Sequence, residues 1–117
     1  MAVVGIGVDV VDVDRFARSV ERTPGIVRRV LADGERSRST ASMAARFAAK
    51  EALAKALGAP TGLRWHDAVV RSQTDGQPSF EVTGTVADAC RRRGATRIHL
   101  TVTHDAGVAV AMVVLES

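Results

Sequence analysis

Aromatic side chains are scarce in this chain: three Phe, one Trp and no Tyr among 117 residues. The core must therefore be Val, Ala, Leu and Ile, and the composition speaks against a ligand stacked between rings. Cysteine is nearly absent too. Cys90 alone excludes an internal disulfide framework and any Cys-rich zinc site, which suits a reducing cytosol. It falls among helix residues, where packing is its expected role. The longest apolar run, Ala106 to Leu115, is far shorter than the roughly 20 residues that span a bilayer. The start MAVVGIGVDVVDVD has no basic segment, and Asp9 interrupts it too early for a secretory signal. A soluble cytoplasmic protein, away from membranes, is expected.

Hydrophobic residues make up 46% of the sequence, enough for one core, so a single domain over residues 1–117 is expected. The net charge of +3 comes from Arg far more than from Lys. Arginine suits planar anions such as phosphate and carboxylate, which points to an acidic partner.

Val3 to Val8 is a nearly continuous apolar run that predicts a buried strand ending at Asp9. From Asp12 to about Arg22, Val13, Phe16, Ala17 and Val20 follow helical spacing, with Asp12 and Asp14 in the first turn. Thr23-Pro24-Gly25 breaks that helix, and Ile26 to Leu31 makes a short second one. Ala32 to Thr40 (ADGERSRST) is polar and predicts a mobile loop. Met43 to Leu57 is rich in Ala, Leu, Lys, Arg and Glu, the strongest helix formers. Ser42 or Thr40 can cap this long helix, and Gly58 with Pro60 stops it.

Trp65 to Gln73 and Ser79 to Thr83 predict two strands about the Asp75-Gly76 turn. Thr85 to Arg93 predicts a helix closed by Gly94, with Arg91-Arg92-Arg93 as a solvated basic end. Arg97 to Thr103 and Val108 to Leu115 predict strands about the turn His104 to Gly107. In the last strand both alternating sets of residues are apolar, so both faces should be covered, one by helices and the other by a second subunit. The expected order is β-α-α-α-β-β-α-β-β, an α+β domain with a long central helix packed on a mostly antiparallel sheet.

Gly5-Ile6-Gly7 lacks the third glycine of a dinucleotide fingerprint and sits inside a strand, so that motif is rejected; a P-loop is absent as well. What remains are polar residues where apolar ones are expected: Asp9, Glu51 and His104-Asp105. Each has an ordinary explanation as a cap, an i,i+4 partner of Lys55, or turn chemistry. Together, two carboxylates from separate elements suggest a hard-cation site that leaves positions open for phosphate oxygens. Lys55 lies one turn beyond Glu51, and Arg46 and Lys50 precede it, so one helix could supply cations for a phosphorylated substrate.

GIGVDVVDVDRF (Gly5 to Phe16), RFAAKEALAKALG (Arg46 to Gly58) and LTVTHDAGVAVA (Leu100 to Ala111), in this order and spacing, resemble the holo-acyl-carrier-protein synthase family of phosphopantetheinyl transferases. The resemblance runs essentially end to end. It implies transfer of 4'-phosphopantetheine from coenzyme A to a serine of apo acyl carrier protein, with magnesium as the metal. It also implies that Asp9 and Glu51 bind the metal, that Lys55 lies against the pyrophosphate, and that Arg46 and His104 hold the nucleotide end. Asp9, Glu51, Lys55 and His104 are then the catalytic set, with Arg46, Gly58 and Thr103 also at the coenzyme. Family members are trimers with active sites between subunits.

The same resemblance puts the acidic carrier on the first helix at Arg15, and Arg18 and Arg22 continue that face at helical spacing. Two positions depart from the family pattern. Thr103 stands where Ser is usual, and Val108 where Tyr often begins the last strand. The rival expectation is a non-catalytic trimeric module that binds acidic carriers or nucleotides, which would not need Asp9 and Glu51 together. Nucleic acid is not an expected partner, because the basic residues lack interleaved aromatics and a recognised fold signature.

Overall fold

The computed structural model describes residues 1–36 and 38–117. Strands β1 (Val3–Asp12), β4 (Arg97–Asp105) and β5 (Val108–Glu116) form one antiparallel sheet in the order β1-β5-β4. The strand with two apolar faces is thus the central one. Helices α1 (Val13–Arg22), α2 (Gly25–Val30), α3 (Asp33–Arg36) and α4 (Thr40–Ala56) follow β1. After a 3-10 turn at Trp65–Asp67 come the hairpin β2 (Ala68–Ser72) and β3 (Pro78–Val82), and then α5 (Gly84–Arg93).

Helix α4 packs on one face of the sheet, and alanine makes that possible. Ala48, Ala52 and Ala56 are fully or almost fully buried against Ala111, Val113 and Leu115 of β5. The glycines of β1 complete the fit. A Cβ on Gly5 would stand 2.2 Å from the Ala56 carbonyl oxygen, so the strand and helix backbones touch only because that atom is missing. Gly5-Ile6-Gly7 therefore serves helix–sheet contact rather than a phosphate.

Several boundaries differ from the expected ones. Strand β1 does not end at Asp9; it pairs with β5 through Val10–Val110 and Val11–Ala109 to Asp12–Val108, since a single inward carboxylate does not interrupt backbone pairing. Asp12 then caps α1, accepting from Arg15 N at 2.8 Å. Helix α4 begins at Thr40, earlier than expected, because Ser39 Oγ accepts from Ser42 N. Trp65–Asp67 is a 3-10 turn and not strand. Strand β4 extends through His104 and Asp105, so the last turn contains only Ala106 and Gly107, both left-handed (φ 52° and 80°) as a tight hairpin requires.

The stretch expected to be a loop contains the α3 turn, and Glu35 within it is buried. Ser37 of that stretch lies outside the described residues. Nor is the basic end of α5 wholly solvated: Arg93 donates from Nε to Val4 O at 2.9 Å and from Nη1 to Leu57 O at 3.3 Å, tying three elements together. Cys90 is a buried packing residue whose thiol pKa is raised by burial.

One face of the sheet has no cover among the described residues. Ile6, Val8 and Val10 of β1 are 65%, 54% and 59% exposed, and Met112 of β5 is 46% exposed beside them. Such an apolar face in water marks an interaction surface.

Candidate active site

Two separate clusters of the expected site residues emerge, on opposite sides of α4. The first joins Asp9 on β1 to Glu51 and Lys55 on α4. Because Gly5 and Gly7 bring the backbones together, the Lys55 side chain reaches across to donate from Nζ to Asp9 Oδ1 and to Val8 O, each at 3.0 Å. Lys55 thus pairs with Asp9, and not with the i,i+4 residue Glu51 as simple helix spacing would have it. Burial raises the Glu51 pKa, the Asp9 charge raises it further, and Lys55 opposes both. Two carboxylates that feel each other's charge, both oxygen donors, fit a hard cation, which would relieve their repulsion. Among the described residues no group of three or more His, Cys, Asp and Glu could hold a metal, so other ligands would come from water or substrate oxygens. Beside Glu51 opens a cavity of about 270 Å³ walled by Leu53, Leu57, Pro60, Leu63 and Trp65.

The second cluster joins Arg46 and His104 in a cavity of about 190 Å³ with Ser42, Ser72, Gly76 and Pro78. Arg46 is 8% exposed and donates from Nη1 to Ser42 Oγ at 2.7 Å. Its Nε is buried and has no acceptor among the described residues. Burial lowers the guanidinium pKa, and the charge of Arg38 lowers it further against a raising influence of Glu35. A buried donor without an acceptor is costly. A phosphate oxygen would satisfy it with a charge-assisted bond.

Five helical residues separate Arg46 from Glu51, which turns the two side chains about 140° apart around α4 and displaces them about 7.5 Å along it. Asp9 and His104 lie on the outer strands of the sheet with β5 between them, about 10 Å apart across the sheet. The two clusters of one chain therefore do not face a common space. Thr103 is not in the Arg46 cavity: it alternates with the inward Val102, pairs with Val110, and is exposed on the uncovered side. Gly58 is the left-handed residue (φ 85°) just beyond α4, exposed near Arg93. Arg15, Arg18 and Arg22 are exposed on α1, whose Phe16 is buried.

Lys50 overturns one expectation. It offers no charge to a substrate, because it is buried against Glu35, with its Nζ 2.8 Å from Oε1. A helical signal was present: Lys50 shares the i, i+3, i+7 stripe of Leu53 and Leu57. Nothing local signals Glu35, its partner 15 residues away.

The model of the 4'-phosphopantetheinyl transferase superfamily matches residues 5–112, and the chain belongs to that family. Within it, the chain is 62% identical over 112 residues to the holo-acyl-carrier-protein synthase of Clavibacter sepedonicus, covering 96% of this chain and 94% of that protein. The crystal structure of holo-acyl-carrier-protein synthase from Neisseria meningitidis superposes with a TM-score of 0.87 at 28% identity, covering 99% of this chain and all of that one. That of the Helicobacter pylori synthase in complex with coenzyme A gives 0.83 at 27% identity, over 95% of this chain and 99% of that one.

Proposed function

We propose that this chain is a holo-acyl-carrier-protein synthase, moving 4'-phosphopantetheine from coenzyme A to a serine hydroxyl of an apo acyl carrier protein and releasing adenosine 3',5'-bisphosphate. The observation that carries this is the Asp9–Glu51–Lys55 cluster, two carboxylates and an ammonium converging from a strand and a helix, in a member of this family. The relatives named above support it, one of them solved with coenzyme A.

Asp9 and Glu51 would hold magnesium. Bound there, the ion would neutralise charge on the bridging and leaving oxygens of the diphosphate. Lys55, half exposed, is free to turn from Asp9 toward the same oxygens. One of Asp9 and Glu51 would receive the serine proton. Arg46, with its unfilled Nε, and His104 take the phosphorylated nucleotide end. Arg15, Arg18 and Arg22 meet the acidic carrier.

A phosphate held by Arg46 and a diphosphate held at Glu51 belong to one coenzyme, yet these groups point apart on one chain. A neighbouring copy docked on the uncovered sheet face would supply the missing half, which supports a trimer with shared sites. Thr103 lies on that face and would act across the interface. The reaction would mature a carrier of fatty acid or polyketide synthesis. No helix among the described residues is long and apolar enough to cross a membrane.

The test is the mass of apo carrier after incubation with the protein, coenzyme A and magnesium, with and without a chelator. A gain of one phosphopantetheine that the chelator abolishes supports the assignment. A carrier that binds but keeps its mass would favour the non-catalytic module.

A further inference from the structure

Glu35 and Lys50 are 1% and 3% exposed, and together they leave almost no hydrogen-bonding capacity unused. The three ammonium protons meet Glu35 Oε1 at 2.8 Å, Val30 O at 2.6 Å and Trp65 O at 3.3 Å. Glu35 Oε1 also accepts from Ala32 N at 2.9 Å, and Oε2 accepts from Val70 N at 3.0 Å. The backbone N–H of Val70 points away from β3, so this carboxylate closes the free edge of β2 in place of a strand. Burying two charges is costly, and an apolar pair of equal volume generally holds a core at least as well. What an apolar pair lacks is direction. Here the directions are specific: the end of α2, the α3 turn, the 3-10 turn and β2 are all fixed to one position of α4.

That position adjoins Glu51. Lys50 and Glu51 border the same cavity, and the wall across from them contains Trp65, whose carbonyl Lys50 holds. The Trp65 ring stacks on Phe47, one turn earlier on α4, with centroids 5.9 Å apart. The cavity's width beside Glu51 is therefore set by the Lys50–Trp65 bond, and that bond is oriented by Glu35.

We propose that Glu35 and Lys50 are positioning residues of the transfer reaction, an ion pair that fixes the Trp65 wall against Glu51 so that the pantetheinyl phosphorus of the coenzyme and the incoming serine hydroxyl meet in reactive alignment. This rests on the function proposed above. The pair touches neither substrate and acts through the wall it holds.

The test is the double variant Glu35→Gln/Lys50→Met, which removes both charges and keeps the volume. Trp65 is the only tryptophan, so its fluorescence reports the wall directly. The expected result is a variant that folds with a lowered melting temperature, since Val30 O and Trp65 O lose their donor, a red-shifted Trp65 emission more open to acrylamide, and a kcat about ten- to a hundredfold lower, as misplacement by an ångström can cause. The KM for coenzyme A should change little, since Lys55 and Arg46 meet its phosphates. Wild-type kcat, or unchanged Trp65 emission, in the folded variant overturns the proposal. If the double variant does not fold, Lys50→Arg, which keeps the ion pair's charges but changes its reach to the Trp65 carbonyl, is judged by the same two readouts. Wild type assayed alongside separates the two ideas: an inactive wild type overturns the proposed function, whereas the fluorescence judges the wall on its own.

Discussion

A Cβ placed on Gly7 would lie 1.9 Å from the carbonyl oxygen of Ala52. No L side chain coexists with a backbone atom at that distance, so Gly7→Ala must push α4 off β1 and carry Lys55 and Glu51 away from Asp9. Overpacking of this kind costs about 3 kcal/mol, and in a domain of this size that lowers Tm by about 10 °C or more. Gly25→Ala, where nothing lies within 4 Å of the added methyl, is the control and should melt like wild type. Thermal unfolding of both decides it. Equal melting temperatures would show that the helix can slide without loss.

The Arg46 to Gly58 helix and the Asp75-Gly76 hairpin were legible because their determinants are local: helix-forming residues closed by glycine, and a glycine turn with φ 85°. The nearness of Asp9 to Glu51 could be suspected from residue type. Its geometry could not, because it depends on the contact of Gly7 with Ala52, 45 positions apart. Strand β1 runs on past Asp9 because its extent is set by pairing with β5 at the far end of the chain, which no local signal near Asp9 encodes. The Glu35 contact to Val70 spans 35 residues, and no periodicity encodes it.

Asp67 gives a pH signature. Hydrogen bonds from the Thr85 hydroxyl and then the Thr85 backbone N–H lower its pKa below the ordinary 3.8. A lowered carboxylate contributes stability above its unfolded pKa and loses it as pH falls through the folded value. Asp67→Asn should therefore melt below wild type at pH 7, and the gap should close on acidification below about pH 3.8. A gap independent of pH would exclude the charged form as the stabilising one.

If Asp9 and Glu51 hold magnesium, Glu51→Gln should fold and lose about a hundredfold or more in kcat, the scale expected for removing a group that acts in the transition state. Magnesium should raise the melting temperature of wild type and leave that of the variant unchanged, by linkage of binding to folding. Near wild-type turnover by the variant in low magnesium would remove these carboxylates from metal binding.

Arg15 and Arg18 are exposed on α1, away from both cavities. Reversing both charges should raise the KM for the acidic carrier about tenfold or more and weaken its dependence on salt, with the KM for coenzyme A unaltered. Steady-state kinetics at two ionic strengths measure this. A defect in coenzyme A instead would place these arginines at the nucleotide.

Val110 and Ala111 are neighbours on β5 with opposite fates. Ala111 is fully buried beneath α4, and Val110 faces outward beside Val10. Ala111→Glu drives an unpaired carboxylate into the core and should abolish folding. Val110→Glu puts the same group on the uncovered face, where the isolated chain tolerates it. If copies assemble through that face, the carboxylate is buried without a partner in the assembly, which costs about 3–5 kcal/mol per site. The variant should then be a folded monomer by light scattering. Because Glu51 and Arg46 of one chain point apart, that monomer should hold the two ends of coenzyme A on different molecules and fail to turn over. A monomeric variant with full activity would show that one chain carries a complete site, and a wild type that is itself an active monomer would leave the apolar face to some other partner.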